Sequence, residues 1–302
     1  MMPGSGWIAR GIAAACAVAA LGCHDVSEPG PPHSLPAFVY VADSAGFATL
    51  FRWRNDTTVA LTSGSNNSDP NSAGGRITFT SDRDGYPQVY LADPSVDTVV
   101  RVMNSGAIDK LPSLSPHADS IVFVSTRSGT TRLWVVAAPP LTGPGSATAG
   151  ALATGSPSYT PETAPAWSPV GGEIAFTSVR SGTSQVYVMP SGGGSAVAVT
   201  GESGGAFQPA WSADGSYLYY IAAASGYALR RVPAHGGSAA TVVPDSLNVA
   251  GPASCDAWYC VYSTGFNTAS GDMSALLESD GSTSTIFPRT AARERQPAIL
   301  RP

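Results

Sequence analysis

Cysteines near the end of this chain have a spacing that could support chemistry. Cys255 and Cys260 flank the segment Asp-Ala-Trp-Tyr, which reads as two strand ends joined by a tight turn. Cross-strand cysteines in such a hairpin can reach the Cα separation that a disulfide needs. We therefore predict a Cys255–Cys260 disulfide, with two buried free thiols as the alternative. Without matching histidines, two cysteines do not complete a zinc shell, so no metal site is predicted.

A third cysteine, Cys23, follows an apolar N-terminal run. Residues 11–22 are rich in alanine, follow Arg10, and are too few to span a membrane, which is typical of a secretory signal. The sequence Ala-Ala-Leu-Gly-Cys ending at Cys23 resembles the lipobox of bacterial lipoproteins. The resemblance implies a signal peptide over 1–22 and lipidation of Cys23. An ordinary signal peptide with an incidental Cys23 is the alternative, and Cys16 fits less well because Arg10 is too near.

The segment 23–36 carries four prolines, Pro29, Pro31, Pro32 and Pro36. Pro-rich segments stay extended and do not pack as helix or sheet. We interpret this segment as a tether between the N-terminal lipid and the folded part of the chain.

Arginines recur beside a turn glycine, at Arg83, Arg127 and Arg180. They could bind anions along one rim, but repetition at one structural position favours pairing of each with a nearby carboxylate or carbonyl. The acidic turn at 82–85 lacks the spacing and distal glutamate of a calcium loop. The histidines are scattered, and no local motif supports a catalytic triad.

These arginines belong to a nine-residue phrase that returns along the chain. Residues 77–85, 121–129 and 174–182 share the pattern Ile-x-Phe-x-Ser-x-Arg-x-Gly, and weaker copies span 38–46, 218–226 and 259–267. Short strands repeated every 40–50 residues or so indicate a β-propeller. The residues that end each copy are expected at a turn with positive φ, which glycine and then asparagine tolerate best. They are Gly46, Gly85, Gly129, Gly182, Gly226 and Asn267.

Each full repeat is predicted to supply four strands. They are a Pro-led strand such as 165–169, the alternating strand, a third strand such as 185–188 and a polar outer strand such as 197–200. The first copy lacks a Pro-led strand, whereas 296–300 has that pattern with nothing after it. We predict a six-bladed β-propeller of four-stranded antiparallel blades over 37–302, closed by the C-terminal strand, which removes exposed sheet edges. Five or seven blades are weaker alternatives.

The repeat resembles a known family. Pro165 to Pro169, followed by 174–182 and by Gln185 to Met189, is similar to the WD40-like repeat of the TolB family, and the resemblance covers nearly all of the chain after the tether. It implies a propeller in the bacterial envelope that contacts another envelope protein. A similar repeat precedes the hydrolase domain of prolyl-oligopeptidase-like enzymes, but no nucleophile elbow is visible here.

Function is predicted from these features together. A net charge of −5 and a single lysine, Lys110, argue against nucleic-acid binding. We expect a non-enzymatic, monomeric protein- or ligand-binding propeller without cofactor or metal. It would be a lipoprotein on the periplasmic side of the envelope, in the outer membrane because His24, not aspartate, follows Cys23. Its expected partner is an envelope protein or a cell-wall component.

The alternative is a propeller enzyme, a hydrolase or a lyase, with its site at the central channel. Facing Asp, Glu, His or Arg side chains from several blades would favour that enzyme. A channel lined by Ser, Thr and apolar groups would favour binding or a pure scaffold. The irregular segments 137–161 and 264–272 are expected to contribute to a binding site, because long loops on rigid scaffolds often carry function.

Overall fold

The structure is a computed structural model. It describes residues 36–95, 98–143, 145, 148–158, 160–249, 251–256, 259–264, 272–277, 283–285 and 294–301. The predicted signal peptide (1–22), the lipidation site Cys23 and all of the tether 23–36 except its last residue lie outside the described residues. Within the described ranges, no helix has both the length and the apolar character needed to cross a membrane.

Every sheet in the described part of the chain contains four strands. The first half of the chain supplies three sheets, and the first of these also contains the last strand of the chain. In spatial order they are β24 (Glu294–Ile299), β1 (Phe38–Ser44), β2 (Phe47–Arg54) and β3 (Thr57–Ala60); β4 (Asn67–Ala73), β5 (Arg76–Ser81), β6 (Gln88–Asp93) and β7 (Thr98–Arg101); and β8 (Asp109–Leu114), β9 (Ser120–Ser125), β10 (Arg132–Ala137) and β11 (Gly150–Ala151).

The second half supplies three more, with the strands of each sheet in chain order. They are β12 (Glu162–Trp167), β13 (Glu173–Ser178), β14 (Gln185–Pro190) and β15 (Val197–Ala198); β16 (Ala206–Trp211), β17 (Tyr217–Ala223), β18 (Tyr227–Pro233) and β19 (Ala240–Val243); and β20 (Ser254–Cys255), β21 (Tyr259–Thr264), β22 (Asp272–Leu277) and β23 (Thr283–Thr285). A 3₁₀ turn at Asp245–Leu247 follows β19.

All strand pairs are antiparallel, and the repeated phrase is the second strand of each sheet. The predicted all-β propeller of four-stranded antiparallel blades is confirmed. We number the blades 1 to 6 in the order just given. The Pro-led strands begin earlier than the sequence suggested, because β12 already starts at Glu162 and Pro165 lies within it.

Both faces of blade 4 are buried around its second strand, which explains the apolar alternation of that strand. In β13, Phe176 packs against Val122, Val124 and Leu133 of blade 3. Ala175, on the opposite face, belongs to a cluster with Leu218 of blade 5. A strand that is covered on both sides in this way can lie only between two neighbouring sheets.

The buried apolar side chains form clusters between consecutive blades. Examples of the paired contributors, from the blade 1–2 contact to the blade 5–6 contact, are Val39 and Phe79, Leu91 and Phe123, Leu133 and Phe176, Val186 and Tyr220, and Tyr219 and Tyr262. Phe38 of blade 1 also packs in one cluster with Val261 of blade 6.

The C-terminal strand joins the first blade. β24 pairs with β1, with Phe38 opposite Ile299 and Ala42 opposite Glu294. The Leu300 N–H donates to the Ala37 carbonyl at 2.8 Å. β24 also contacts β21 of blade 6 and β4 of blade 2, so the two chain ends of the propeller meet in one sheet.

The turn glycines fulfil their predicted role at four positions. Gly46, Gly85, Gly129 and Gly182 have φ values of 85°, 97°, 88° and 94°. The prediction is wrong for Gly226, which does not have a positive φ. A Cβ at Gly226 would lie 2.7 Å from the Asp245 carbonyl oxygen, so glycine is needed there because the 3₁₀ turn approaches closely. Asn267 lies outside the described residues.

Candidate functional site at the central channel

The innermost strands of the blades surround a channel along the propeller axis. These strands are β4, β8, β12, β16, β20 and β24. We call the end nearest Gly85, Gly129 and Gly182 the turn mouth. The opposite end, where the hairpin at Gly74 and Gly75 joins β4 to β5, is the hairpin mouth. Side chains that point from the innermost strands into this channel define the candidate site.

A bulge recurs in these strands and was not foreseen from the sequence. In each of five strands one residue has a φ close to 50°, and the next residue is proline. The residues are Asp69, Leu111, Ala164, Gln208 and Gln296, with φ values of 54°, 53°, 47°, 51° and 53°. Pairing with the neighbouring strand shifts register at each bulge.

Proline explains where the ladder can be interrupted. It has no N–H to donate, so a bulge at that residue leaves no backbone donor unpaired. The left-handed residue before it costs roughly 1–2 kcal/mol for a non-glycine side chain. Repetition of this conformation at one level of the channel shows that the scaffold imposes it. The sequence pattern that could have predicted these bulges is the residue–proline pair that recurs in the innermost strands, which we interpreted only as the start of each strand.

Side chains from one blade satisfy backbone groups of the next around the channel wall. The Leu114 N–H donates to Asn71 Oδ1 at 2.8 Å, and the Trp167 N–H donates to Ser113 Oγ at 2.9 Å. The Ile299 N–H donates to Ser254 Oγ at 2.9 Å. These bridges connect neighbouring blades without a continuous ladder.

Among the described residues, the channel wall is poor in charge. Its central cavity, of about 110 Å³, is lined by alanines, prolines, serines, Trp167, Trp211 and amides, and the charged residues among the described lining are Asp69 and Arg301. Asp69 is held by Gln296, whose Nε2 donates to Asp69 Oδ1 at 2.9 Å while its Oε1 accepts from the Asp69 N–H at 3.1 Å. The composition of this described lining matches the pattern that we expected for binding or for a pure scaffold.

An apolar pocket opens on one side of the turn mouth. It has a volume of about 270 Å³, and its walls come from blades 3 to 5 and the segment leading into blade 6. The bulge residues Leu111, Ala164 and Gln208 contribute to its floor. Its apolar walls are completed by Phe207, Ile221, Tyr227 and Val249. A pocket of this kind suits an aliphatic or aromatic side chain of a bound segment.

The turn arginines are internal to their blades. Arg127 binds the fully buried Asp109 through Nη2 at 3.0 Å, and Arg180 binds the fully buried Glu162 at 2.9 Å. Each guanidinium also lies over the ring of its blade's second-strand phenylalanine. In blade 2 the acid is replaced by Asn67, whose Oδ1 accepts from Arg83 Nη2 at 3.4 Å. These pairs support the structural interpretation of the three arginines.

Cys255 and Cys260 face each other across the β20–β21 hairpin, and their sulfur atoms are 1.98 Å apart. Cys255 lines the channel beside Arg301. Of the two irregular segments, 137–161 supplies the outer strand β11, while 265–271 lies outside the described residues. Most repeat aromatics are core residues, but Trp167 and Trp211 also line the channel, which the sequence did not indicate.

Metal-ligating side chains do not converge in the described part of the chain: no group of three or more His, Cys, Asp or Glu residues there could hold a metal ion. His235 lies at the surface, 3.8 Å from Glu173. Neither it nor His117 lines the cavities of the channel.

This geometry defines the class of the protein. It is a β-propeller whose described channel lining carries little charge and whose innermost strands share an x-Pro bulge. The family profile PD40, the TolB beta propeller domain, matches residues 146–299. The chain belongs to this family.

Solved structures agree with the fold. TolB from Acinetobacter baumannii is 20% identical with a TM-score of 0.74 over 88% of this chain and 67% of that one. A putative TolB from Agrobacterium tumefaciens is 17% identical with a TM-score of 0.62 over 84% of this chain and 89% of that one. An oligogalacturonate lyase from Vibrio parahaemolyticus is 11% identical with a TM-score of 0.55, covering 83% and 74%. Identities this low show a shared fold and leave activity open.

Proposed function

We propose that this chain is a non-enzymatic propeller of the bacterial envelope that binds a segment of a partner protein at its central channel. The composition of the channel wall carries the proposal. Proline, alanine, tryptophan, serine and amide groups surround the axis, with an apolar pocket at the turn mouth. Such a wall offers packing and a few hydrogen bonds, which is what recognition of an extended segment requires.

The paucity of titratable groups among the described channel residues supports binding over the enzyme alternative. General acid–base catalysis needs a proton donor or acceptor within reach of the reacting atoms. Asp69 is engaged by Gln296, and Arg301 is not a proton donor at physiological pH because guanidinium groups stay charged. A hydrolase or lyase would need a further acid or base facing the channel.

The complete architecture is part of the proposal. We infer that the six sheets form a closed ring in which β24 fastens the last blade to the first, over 37–302. The packing of Phe38 against Val261 supports this closure. A closed ring holds the channel wall rigid, so little freedom is lost when a segment binds.

Placement in the envelope rests on the N-terminal sequence and on the cysteines. A signal peptide over 1–22, a lipidated Cys23 and a tether over 23–36 would put the monomeric propeller on the periplasmic side, at the outer membrane. A Cys255–Cys260 disulfide fits an oxidising compartment. The proposed partner is another envelope protein, with a cell-wall component as the other outcome of the capture experiment.

The test is crosslinked capture from envelope extracts with the full-length chain. Ala164→Trp would fill the channel, whereas Ala60→Trp places the same side chain on the outer strand β3, where Ala60 is exposed. We expect the parent chain and Ala60→Trp to capture the same partner, and Ala164→Trp to capture at least about tenfold less. Equal capture by both variants would remove the channel from the proposal. Release of a cleaved product by the parent chain but not by Ala164→Trp would establish the enzyme instead.

The anchor is tested separately by fractionation. We expect detergent, and not high salt, to release the chain from membranes, because a diacyl anchor is held by buried hydrocarbon. Cys23→Ser should remain in the precursor form or become soluble. An intact, unmodified Cys23 in the mature protein, shown by mass spectrometry, would refute lipidation.

A further inference from the structure

Arg301 crosses the hairpin mouth of the channel. Its backbone is fixed to blade 2, because its N–H donates to Ser72 Oγ at 3.0 Å and its carbonyl accepts from the Gly75 N–H at 3.0 Å. Its side chain reaches blade 6, where Nη2 donates to the Cys255 carbonyl at 2.6 Å. The guanidinium is therefore held at both ends while it borders the cavities of the channel.

The charge of Arg301 is not matched by a bound carboxylate in the described part of the chain. Arg127 and Arg180 each contact an acid within 3.0 Å. For Arg301 the bond to Cys255 is the one hydrogen bond found from its five guanidinium N–H donors among the described residues. Burial lowers the pKa of Arg301, and Asp256 opposes that shift only through the longer-range attraction of its charge. A mostly buried cation with unused donors gains strongly from an anionic partner.

A small cavity lies directly beside this cation. It has a volume of about 130 Å³ and is lined by Asn71, Ser72, Leu114, Pro116, Trp167 and Pro169 in addition to Arg301. A space of this size has room for a carboxylate and a small side chain. The polar lining groups lie on the β4 side, and Leu114, Pro116 and Trp167 supply an apolar wall.

We propose that Arg301 and this cavity form a carboxylate-binding subsite at the hairpin mouth, and that it takes the C-terminal carboxylate of a peptide segment held in the channel. The proposal rests on the function proposed above and names the chemistry of the bound segment. The planar fork of the guanidinium matches a carboxylate in a bidentate geometry. The apolar wall accommodates a small terminal side chain such as that of alanine.

The experiment uses the ¹⁵N-labelled full-length chain and follows the indole N–H signal of Trp167, which is assigned with Trp167→Phe. The probe is N-acetyl-trialanine, added as the free acid and, in a matched titration, as its C-terminal amide. We expect the free acid to shift the Trp167 signal saturably, and the amide to bind at least about tenfold more weakly, because the amide cannot form the charge-assisted contact with the guanidinium. Equal shifts by acid and amide, or no shift with either, would overturn the proposal.

Variants assign the effect to the guanidinium. Arg301→Gln should lose the preference for the acid, and Arg301→Lys should keep only part of it because lysine lacks the fork. Arg54→Gln, at an exposed position at the end of β2, is the matched control and should bind as the parent chain does. An undiminished preference in Arg301→Gln would refute the assignment even if the peptide binds.

Two further probes distinguish the sources of the anion. N-acetyl-Ala-Glu-Ala-amide offers a carboxylate only on a side chain, and inorganic phosphate offers an anion without a peptide. We expect both to bind more weakly than the trialanine acid, and equal or tighter binding by either would contradict a C-terminal carboxylate subsite. Because capture of an envelope partner is measured independently, a failure here with capture intact refutes only the subsite.

Discussion

Arg180 and Arg301 are both largely buried cations in the same propeller, but they lie in different environments. Arg180 lies inside blade 4, where Glu162 accepts from it at 2.9 Å and the rings of Phe176 and Tyr187 cover it. Arg301 lies at the channel and donates to a backbone carbonyl of a neighbouring blade. The first arginine completes a repeated structural unit, and the second leaves donors facing a cavity. Of these two arginines, the repeated one belongs to the scaffold, and the one without a counterpart in other repeats belongs to the proposed subsite.

The largest effect is expected when the carboxylate beside Arg180 is removed. Glu162 is fully buried and serves both Arg180 and Arg132, and it also accepts a hydrogen bond from Thr154 Oγ1. Glu162→Gln would leave two poorly exposed cations without their anion, at a cost of about 3 kcal/mol in the free energy of unfolding. Urea denaturation measures it. Glu173→Gln, at a partly exposed acid, is the control and should change stability by less than about 0.5 kcal/mol. Equal losses of stability in Glu162→Gln and Glu173→Gln would show that the buried carboxylate contributes no more to stability than the partly exposed one.

A smaller effect is expected at the proposed Cys255–Cys260 disulfide, which borders Arg301. Replacing Cys255 and Cys260 together by serine opens a very short loop, and chain entropy gives a loss of about 2 kcal/mol. The measurement is urea denaturation without reductant. Because the Cys255 carbonyl anchors Arg301, the same variant should broaden the Trp167 indole signal at the hairpin mouth. Unchanged stability would argue that the thiols are not crosslinked in the protein, and an unchanged signal would show that the hairpin holds Arg301 without the crosslink.

The environment of Arg180 could largely be predicted from the sequence, whereas that of Arg301 could not. The phrase at 174–182 gave the second strand, its turn glycine and the arginine, because each follows from local periodicity and from φ at one turn. Pairing of that arginine with a nearby carboxylate was foreseen, although Glu162 as the partner was not, since it lies 18 residues earlier across the strand pair. Ring contacts depend on sheet register, which short motifs do not encode.

The channel was harder to predict for the same reason. Pro165 and its equivalents were recognised, but the left-handed residue before each proline was not, because sterics disfavour that conformation for the isolated residue. Arg301 follows the last predicted strand and has no counterpart in other repeats, so periodicity gave it no role. Its position became visible only when β24 was placed beside β1 and β4.

The next prediction concerns the strained backbone of the innermost strands that line the channel. Ala164 has a φ of 47°, and Ala164→Gly should relieve that strain and stabilise the protein by about 0.5–1 kcal/mol. Ala166→Gly in the same strand is the control, since Ala166 does not have a positive φ and should instead lose about 0.5–1 kcal/mol. Paired urea curves test the sign of each change. Loss of stability in both variants would mean that Ala164 is not strained.

The smallest effect on stability is expected for Arg301. This effect tests whether Arg301 and Arg180 have different roles. Arg180→Gln leaves the buried Glu162 with fewer donors and should cost about 2 kcal/mol. Arg301→Gln loses one hydrogen bond to a carbonyl but also removes a poorly solvated charge, so the two contributions offset to within about 0.5 kcal/mol. Urea denaturation of both variants against the parent chain measures the difference. If Arg301→Gln destabilised the protein as much as Arg180→Gln, the role of Arg301 would be structural, because its contacts would hold blades 1, 2 and 6 together. If Arg301→Gln left the free energy of unfolding nearly unchanged but lost the preference for the peptide acid, the role of Arg301 would be to bind the ligand and not to stabilise the fold.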